Sequence, residues 1–198
     1  MPTGRAAPSS LLLHAARTGD TEQIVIALDA GADIESRDDH RRSALLLAVT
    51  RDHVEAARLL VERGADPNAL DDRHDTPWLV TGVTGSVAML EVLLPANPDM
   101  SIRNRYGGIS VIPASERGHV DYVRRVAQTG IDVNHVNDLG WTALLEAVIL
   151  GDGTLAYQHI VELLLDAGAD PSIPDRDGVT ALQHAARNGY ENITALLS

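Results

Sequence analysis

Eight histidines and 28 carboxylates are distributed over 198 residues, and these are the groups that could do chemistry. General acid–base catalysis or a zinc site would need some of them at short fixed spacing, such as two histidines four apart on one helix face. No histidine pair has that spacing. The chain also has no nucleophile elbow, no phosphate-cradling glycine loop and no dinucleotide fingerprint. Cysteine and lysine are both absent. That removes thiol nucleophiles, disulfides, iron–sulfur ligation, Schiff-base lysines and lysine phosphate clamps. The densest polar groups are Asp38-Asp39-His40-Arg41-Arg42 and Asp71-Asp72-Arg73-His74-Asp75. They could hold zinc only if separate loops brought ligands to about 2.0–2.2 Å from the ion. They read instead as solvated loops in which Asp caps the turns. The expectation is a protein that is not an enzyme, with no catalytic residues, no metal site and no cofactor.

The charge points the same way. Against 28 acidic residues stand 16 basic ones, all Arg, for a net of -12. Nucleic acid and anionic membranes are bound through clustered cations, so this balance argues against both. Apolar residues make up 44% of the chain, enough for a buried core, yet there is no Phe and aromatics are 3%. Leu, Val, Ile and Ala suit thin, closely packed layers of helices. The run Leu11-Leu12-Leu13 is far too short for a signal segment or a membrane span. A soluble, cytoplasmic protein is expected.

The elements that would carry these side chains repeat. Gly-Ala-Asp occurs at 31–33, 64–66 and 168–170, with Gly130-Ile131-Asp132 and Asn97-Pro98-Asp99 as variants. The first four markers are 33 residues apart, and the step from 130 to 168 is 38, so one repeat carries five extra residues. A second marker keeps this phase. A small residue in a short helix is followed four residues later by a turn residue, as in Ala15/Gly19, Ala114/Gly118 and Ala185/Gly189. Amphipathic segments at helical spacing follow the turns, for example Val54, Ala57, Leu60 and Val61. Ser10, Ser43, Thr76, Thr142 and Thr180 are placed to cap the first helix of their units. The glycines at 107, 140 and 178 suit a left-handed turn before it, where Arg41 and His74 take the same place in the second and third units. Ile109 falls at the capping position of the fourth unit and cannot cap.

These markers resemble ankyrin repeats over residues from about 10 to 198. The most typical units are Gly140-Trp141-Thr142-Ala143-Leu144 through Gly168-Ala169-Asp170, and Asp177-Gly178-Val179-Thr180-Ala181-Leu182 onward. The stretch Leu93 to Asp99, with Tyr106-Gly107-Gly108, Gly140-Trp141-Thr142 and Asp152-Gly153, resembles small stand-alone bacterial ankyrin proteins. The resemblance implies an all-α ankyrin-repeat solenoid of about six stacked helix-turn-helix units with short hairpin-like finger loops. A flexible segment 1–9 would precede a single domain 10–198. Its repeats would run over 10–38, 39–71, 72–104, 105–137, 138–175 and 176–198. The His that such repeats usually carry three residues after the capping Thr is replaced by Leu13, Leu46, Leu79, Ile112, Leu145 and Gln183. His53 and His119 follow turns where the family commonly places structural His.

The resemblance places a partner on the finger tips and on the open face of the first helix of each repeat. Leu47, Val80 and Glu146 are read as belonging to that face. Across the fourth and fifth repeats Tyr106, Leu139, Trp141, Ile149 and Leu150 would form an apolar and aromatic patch. Arg105, Arg117, Asp138 and Glu146 would edge it. Trp, Tyr and Arg within a polar rim are the residues that binding hot spots favour. The five extra residues lie within Gly151 to Tyr157 and form a tolerated loop insertion, a longer second helix, or a second contact surface centred on Tyr157. The function expected is a protein–protein interaction module, adaptor or regulator, of a monomer or weakly self-associating protein. The alternative is an inhibitor or immunity-like protein masking a basic partner surface.

Overall fold

A computed structural model describes residues 7–198. Twelve α-helices occur among the described residues, arranged as six antiparallel pairs. The chain divides into two compact units at Asp99/Met100. The first contains α1 (Pro8–Thr18) with α2 (Thr21–Asp29), α3 (Ala44–Thr50) with α4 (Val54–Glu62), and α5 (Pro77–Thr84) with α6 (Val87–Leu93). The second contains α7 (Val111–Glu116) with α8 (Val120–Val126), α9 (Ala143–Ile149) with α10 (Leu155–Asp166), and α11 (Ala181–Asn188) with α12 (Glu191–Leu196). No helix is long and apolar enough to cross a membrane among the described residues.

Helices of six to nine residues are marginal in isolation, so stacking must supply their stability. In the first unit α3 packs on α1 and α5, and α4 on α2 and α6. In the second, α9 packs on α7 and α11, and α10 on α8 and α12. Ala44 through Val49 are all buried, which is why α3 is apolar all round and not amphipathic. Where the family's His is replaced, Leu46, Leu79, Ile112 and Leu145 are buried in the core.

Ser43, Thr76 and Thr142 accept the backbone N–H three residues on, at 3.1–3.2 Å, and Thr180 forms a full capping box with Gln183. Ser10 does not cap. The helix α1 starts at Pro8, whose fixed φ suits the first helical position, so Ser10 lies inside it. Pro8 and Ser9 are therefore helical within the segment expected to be flexible, and residues 1–6 of that segment lie outside the described residues. In the fourth repeat Ser110 stands before α7 but in a helical conformation, and its buried hydroxyl has no partner.

Arg41 and His74 accept the left-handed turn, at φ 59° and 62°, where Gly107, Gly140 and Gly178 take it without strain. We expect Arg41→Gly and His74→Gly each to stabilise the protein by about 0.5–1 kcal/mol. Urea unfolding at neutral pH checks this, and destabilisation by either would show that the side chain contributes more than its backbone costs.

Each finger is organised by one Asp or Asn. Asp38, Asp71, Asn104, Asn137 and Asp175 each accept, on one side-chain oxygen, the N–H groups of the residues two and four positions on, at 2.8–3.0 Å. The same residue exchanges backbone bonds with the far side of the loop, as from Asn137 N–H to Trp141 O. Burial works to raise the Asp38 carboxyl, but Arg42 and the backbone N–H groups of Arg42 and His40 outweigh it and hold it below its ordinary value.

Behind the fingers, rings tie three of the second helices, α4, α10 and α12, to the preceding repeat. The His53 ring meets the Arg17 carbonyl at 3.1 Å, and Tyr157 donates its hydroxyl to the Glu116 carbonyl at 2.8 Å. Tyr190 donates to Gly151 O at 2.9 Å. The five extra residues form a loop and lengthen α10 to 12 residues. They also place the left-handed turn at Gly153 (φ 75°), over which the Tyr190 ring sits.

Candidate functional site

The candidate residues all lie in the second unit, on two consecutive fingers and on or at the end of helix A, the first helix of a repeat, here α7 and α9. Finger 4 spans 104–108, finger 5 spans 137–141 and finger 6 spans 175–179. Fingers 4 and 5 are locked together. Asp138 N–H donates to Tyr106 O at 2.9 Å, and the His135 ring meets Gly107 O at 2.7 Å. The Asp138 carboxylate lies directly over Gly107, where any Cβ would collide with it. On the other side the Arg176 guanidinium bonds Asp138 O and its stem covers Gly140.

This scaffold holds Tyr106 and Leu139 out, at 55% and 52% exposure. Arg105 stacks on the Tyr106 ring, 4.7 Å from its centroid, and its guanidinium also donates to the Tyr106 hydroxyl at 2.8 Å. The pair therefore presents one rigid cationic and aromatic face. Asp138 is exposed beside Leu139, while Trp141 is half-buried at the base of finger 5.

The remaining candidates fall elsewhere. α9 is seven residues long, so Ile149 and Leu150 sit about 10 Å further along it than the finger. Leu150 is exposed and Ile149 half-buried. Arg117 is exposed at the end of α7. The expected single patch is thus two surfaces, one on the fingers and one at the opposite end of helix A.

Glu146 is a correction. It was expected on the rim, yet it is 5% exposed. Leu47 and Val80, at the same place in their repeats, are buried too, because the neighbouring helices cover this register. Glu146 Oε1 accepts from Asn137 Nδ2 at 2.8 Å. Burial, with Glu116 as a nearby like charge, pushes its carboxyl up to about 7 despite the Asn137 bond. One repeat on, the His184 ring bonds the second carboxylate oxygen of Asp175 at 2.7 Å. The N–H groups of Val179 and Asp177 and the His184 contact hold Asp175 below the usual carboxylate range, against its slight desolvation. Asn137/Glu146 and Asp175/His184 are equivalent pairs that the sequence reading missed. The visible signal was a polar residue in helix A where Leu47 and Val80 stand in earlier repeats.

Tyr157 is half-buried, bonded to Glu116 O and packed against Gly118. It joins the fifth repeat to the fourth. His40 meets Asp72 across adjacent fingers at 3.3 Å. Among the described residues no group of three His, Asp or Glu is placed to hold a metal ion.

Short helix pairs in phase, left-handed finger turns and an Asx residue ordering each finger define a repeat protein that displays loops. The chain belongs to the ankyrin repeat family, whose three-copy pattern matches residues 5–71, 78–175 and 114–198. It is 38% identical to the ankyrin repeat protein YahD of Escherichia coli (strain K12) over 191 residues, 96% of this chain and 94% of YahD. An ankyrin repeat domain from Acinetobacter baumannii AYE superposes with a TM-score of 0.91 at 47% identity, covering 94% of this chain and 95% of that one. The ankyrin repeat protein EF0377 does so with a TM-score of 0.91 at 39% identity, covering 96% of each. The chain also matches longer curated proteins, of which it spans 7% to 30%. The fold is the ankyrin-repeat solenoid, a non-enzymatic architecture, and ankyrin repeats generally serve protein–protein interaction.

Proposed function

We propose that this protein is an adaptor or regulator that binds a protein partner on fingers 4 and 5. The observation that carries this is the pair Tyr106 and Leu139, each more than half exposed on tips that the Asp138–Tyr106 backbone bond and the His135 ring lock together. Exposed large side chains on a rigid support lose little entropy on binding. Arg105 and Asp138 supply a polar rim, and Trp141 supplies a half-buried base. The site needs no second copy of the chain, which supports a monomer or a weakly self-associating protein. The absence of cysteine fits a reducing cytoplasm.

The test is affinity capture from the native cell with three baits: wild type, Trp141→Ala, and a Tyr106→Ala/Leu139→Ala double variant. A protein held by wild type should be lost from both variants, with affinity at least tenfold weaker, or about 1.4 kcal/mol. The melting temperature of the double variant should not change. A partner held equally by all three baits overturns the finger 4–5 site. The net charge of -12 favours a second reading, an inhibitor that masks a basic surface. Under that reading affinity falls steeply between 50 and 300 mM salt, on the order of tenfold or more.

A further inference from the structure

Finger 5 differs from finger 4 in what stands behind its organising Asn. Both Asn104 and Asn137 accept two backbone N–H groups on Oδ1. Behind Asn104, at the register of Glu146, stands Pro113, which cannot titrate. Behind Asn137 stands the buried Glu146, joined to Asn137 Nδ2. The N–H groups ordered by Asn137 belong to Leu139 and Trp141, the apolar residues of the finger. A buried carboxyl group and the apolar tip are thus connected through one amide side chain.

We propose that Glu146 is a pH-sensitive latch on finger 5, seated against Asn137 when protonated and leaving that seat when it ionises. The groups around it favour this. α7 brings Glu116, a like charge, and the buried positions of α10 are the apolar Ile160, Val161 and Leu164. α11 brings His184, already engaged by Asp175. The finger offers one N–H from Asn137 and, further out, the exposed Asp138. A carboxylate in that seat has Asn137 Nδ2–H as its donor, a negative neighbour and little water, conditions that on balance penalise a buried charge. Swinging out to solvent relieves the burial and the like charge, which outweigh the Asn137 bond it gives up, and removes the brace on Asn137. The turn that presents Leu139 and Trp141 then loosens. The raised carboxyl of Glu146 puts this event near neutral pH.

The regulatory consequence rests on the finger 4–5 binding proposed above, but the latch can be tested without any partner. Amide hydrogen exchange of Leu139 and Trp141 is measured by NMR on the full chain from pH 5.5 to 8.5. Rates are corrected for intrinsic base catalysis and referred to Tyr106 and Gly108 in finger 4. The protection of Leu139 and Trp141 should fall about tenfold relative to that reference, with a midpoint near 7. In Glu146→Gln, whose amide oxygen keeps the Asn137 bond, protection should stay high across the range. In Glu116→Gln the midpoint should move up no further than wild type and instead fall, because the like charge is gone. A pH-independent ratio in wild type overturns the latch, as does the same transition persisting in Glu146→Gln. Loss of partner binding in the finger variants with an intact exchange transition, or the reverse, separates the two proposals.

Discussion

Trp78→Ala is expected to cost about 3–5 kcal/mol of stability, the largest single effect in the molecule. Trp78 is fully buried in α5 and is the largest side chain in the core. A chain with no Phe has few side chains that could collapse into the space it leaves. The indole N–H of Trp78 has no partner, so the ring contributes through volume alone. Trp78→Phe should therefore cost less than half as much, since it sheds an unsatisfied donor while keeping an aromatic ring. Urea unfolding followed by far-ultraviolet circular dichroism separates the two. A cost below about 1 kcal/mol for Trp78→Ala would contradict its place in the core.

Glu146→Gln is expected to stabilise the protein on the order of 2 kcal/mol at pH 8 and hardly at all at pH 4.5. The folded-state carboxyl titrates at about 7 against an ordinary 4.5. Below 4.5 both folded and unfolded chains carry the proton. Between 4.5 and 7 the unfolded chain gives it up while the folded chain keeps it, so stability falls as pH rises. Above 7 that loss is complete, and the variant, which has nothing to ionise, escapes it. Other carboxyls such as Asp38 and Asp175 are held low and act in the opposite direction. The difference between wild type and Glu146→Gln isolates the one group. An equal advantage at pH 4.5 and pH 8 would mean that the gain came from packing.

Much of this was legible in the residues. The 33-residue phase, the helix pairs and four of the five proposed caps follow from spacing and side-chain chemistry. The strain at Arg41 and His74 was visible as a missing glycine. What was hidden depends on neighbours. Whether a helix A residue faces a partner or the next repeat is decided by the helix laid beside it, which periodicity within seven residues cannot reveal. Leu47, Val80 and Glu146 were misread together for that one reason. The patch divided because Trp141 and Leu150 lie at opposite ends of α9, although nine positions look close on paper. Ser10 misled because Pro8 offered an earlier start that the repeat phase does not mark.

Tyr157 hands its hydroxyl to Glu116 O, and His53 reaches Arg17 O. Residues 17 and 116 are three 33-residue periods apart, so the same carbonyl is served with the extra residues in place. The added length is absorbed upstream of Tyr157, and Tyr190 of the sixth repeat follows the displaced turn by bonding Gly151 O. The loop 152–154 is in effect a splice point: extra sequence has entered there while Tyr157 still reaches the in-phase carbonyl behind it.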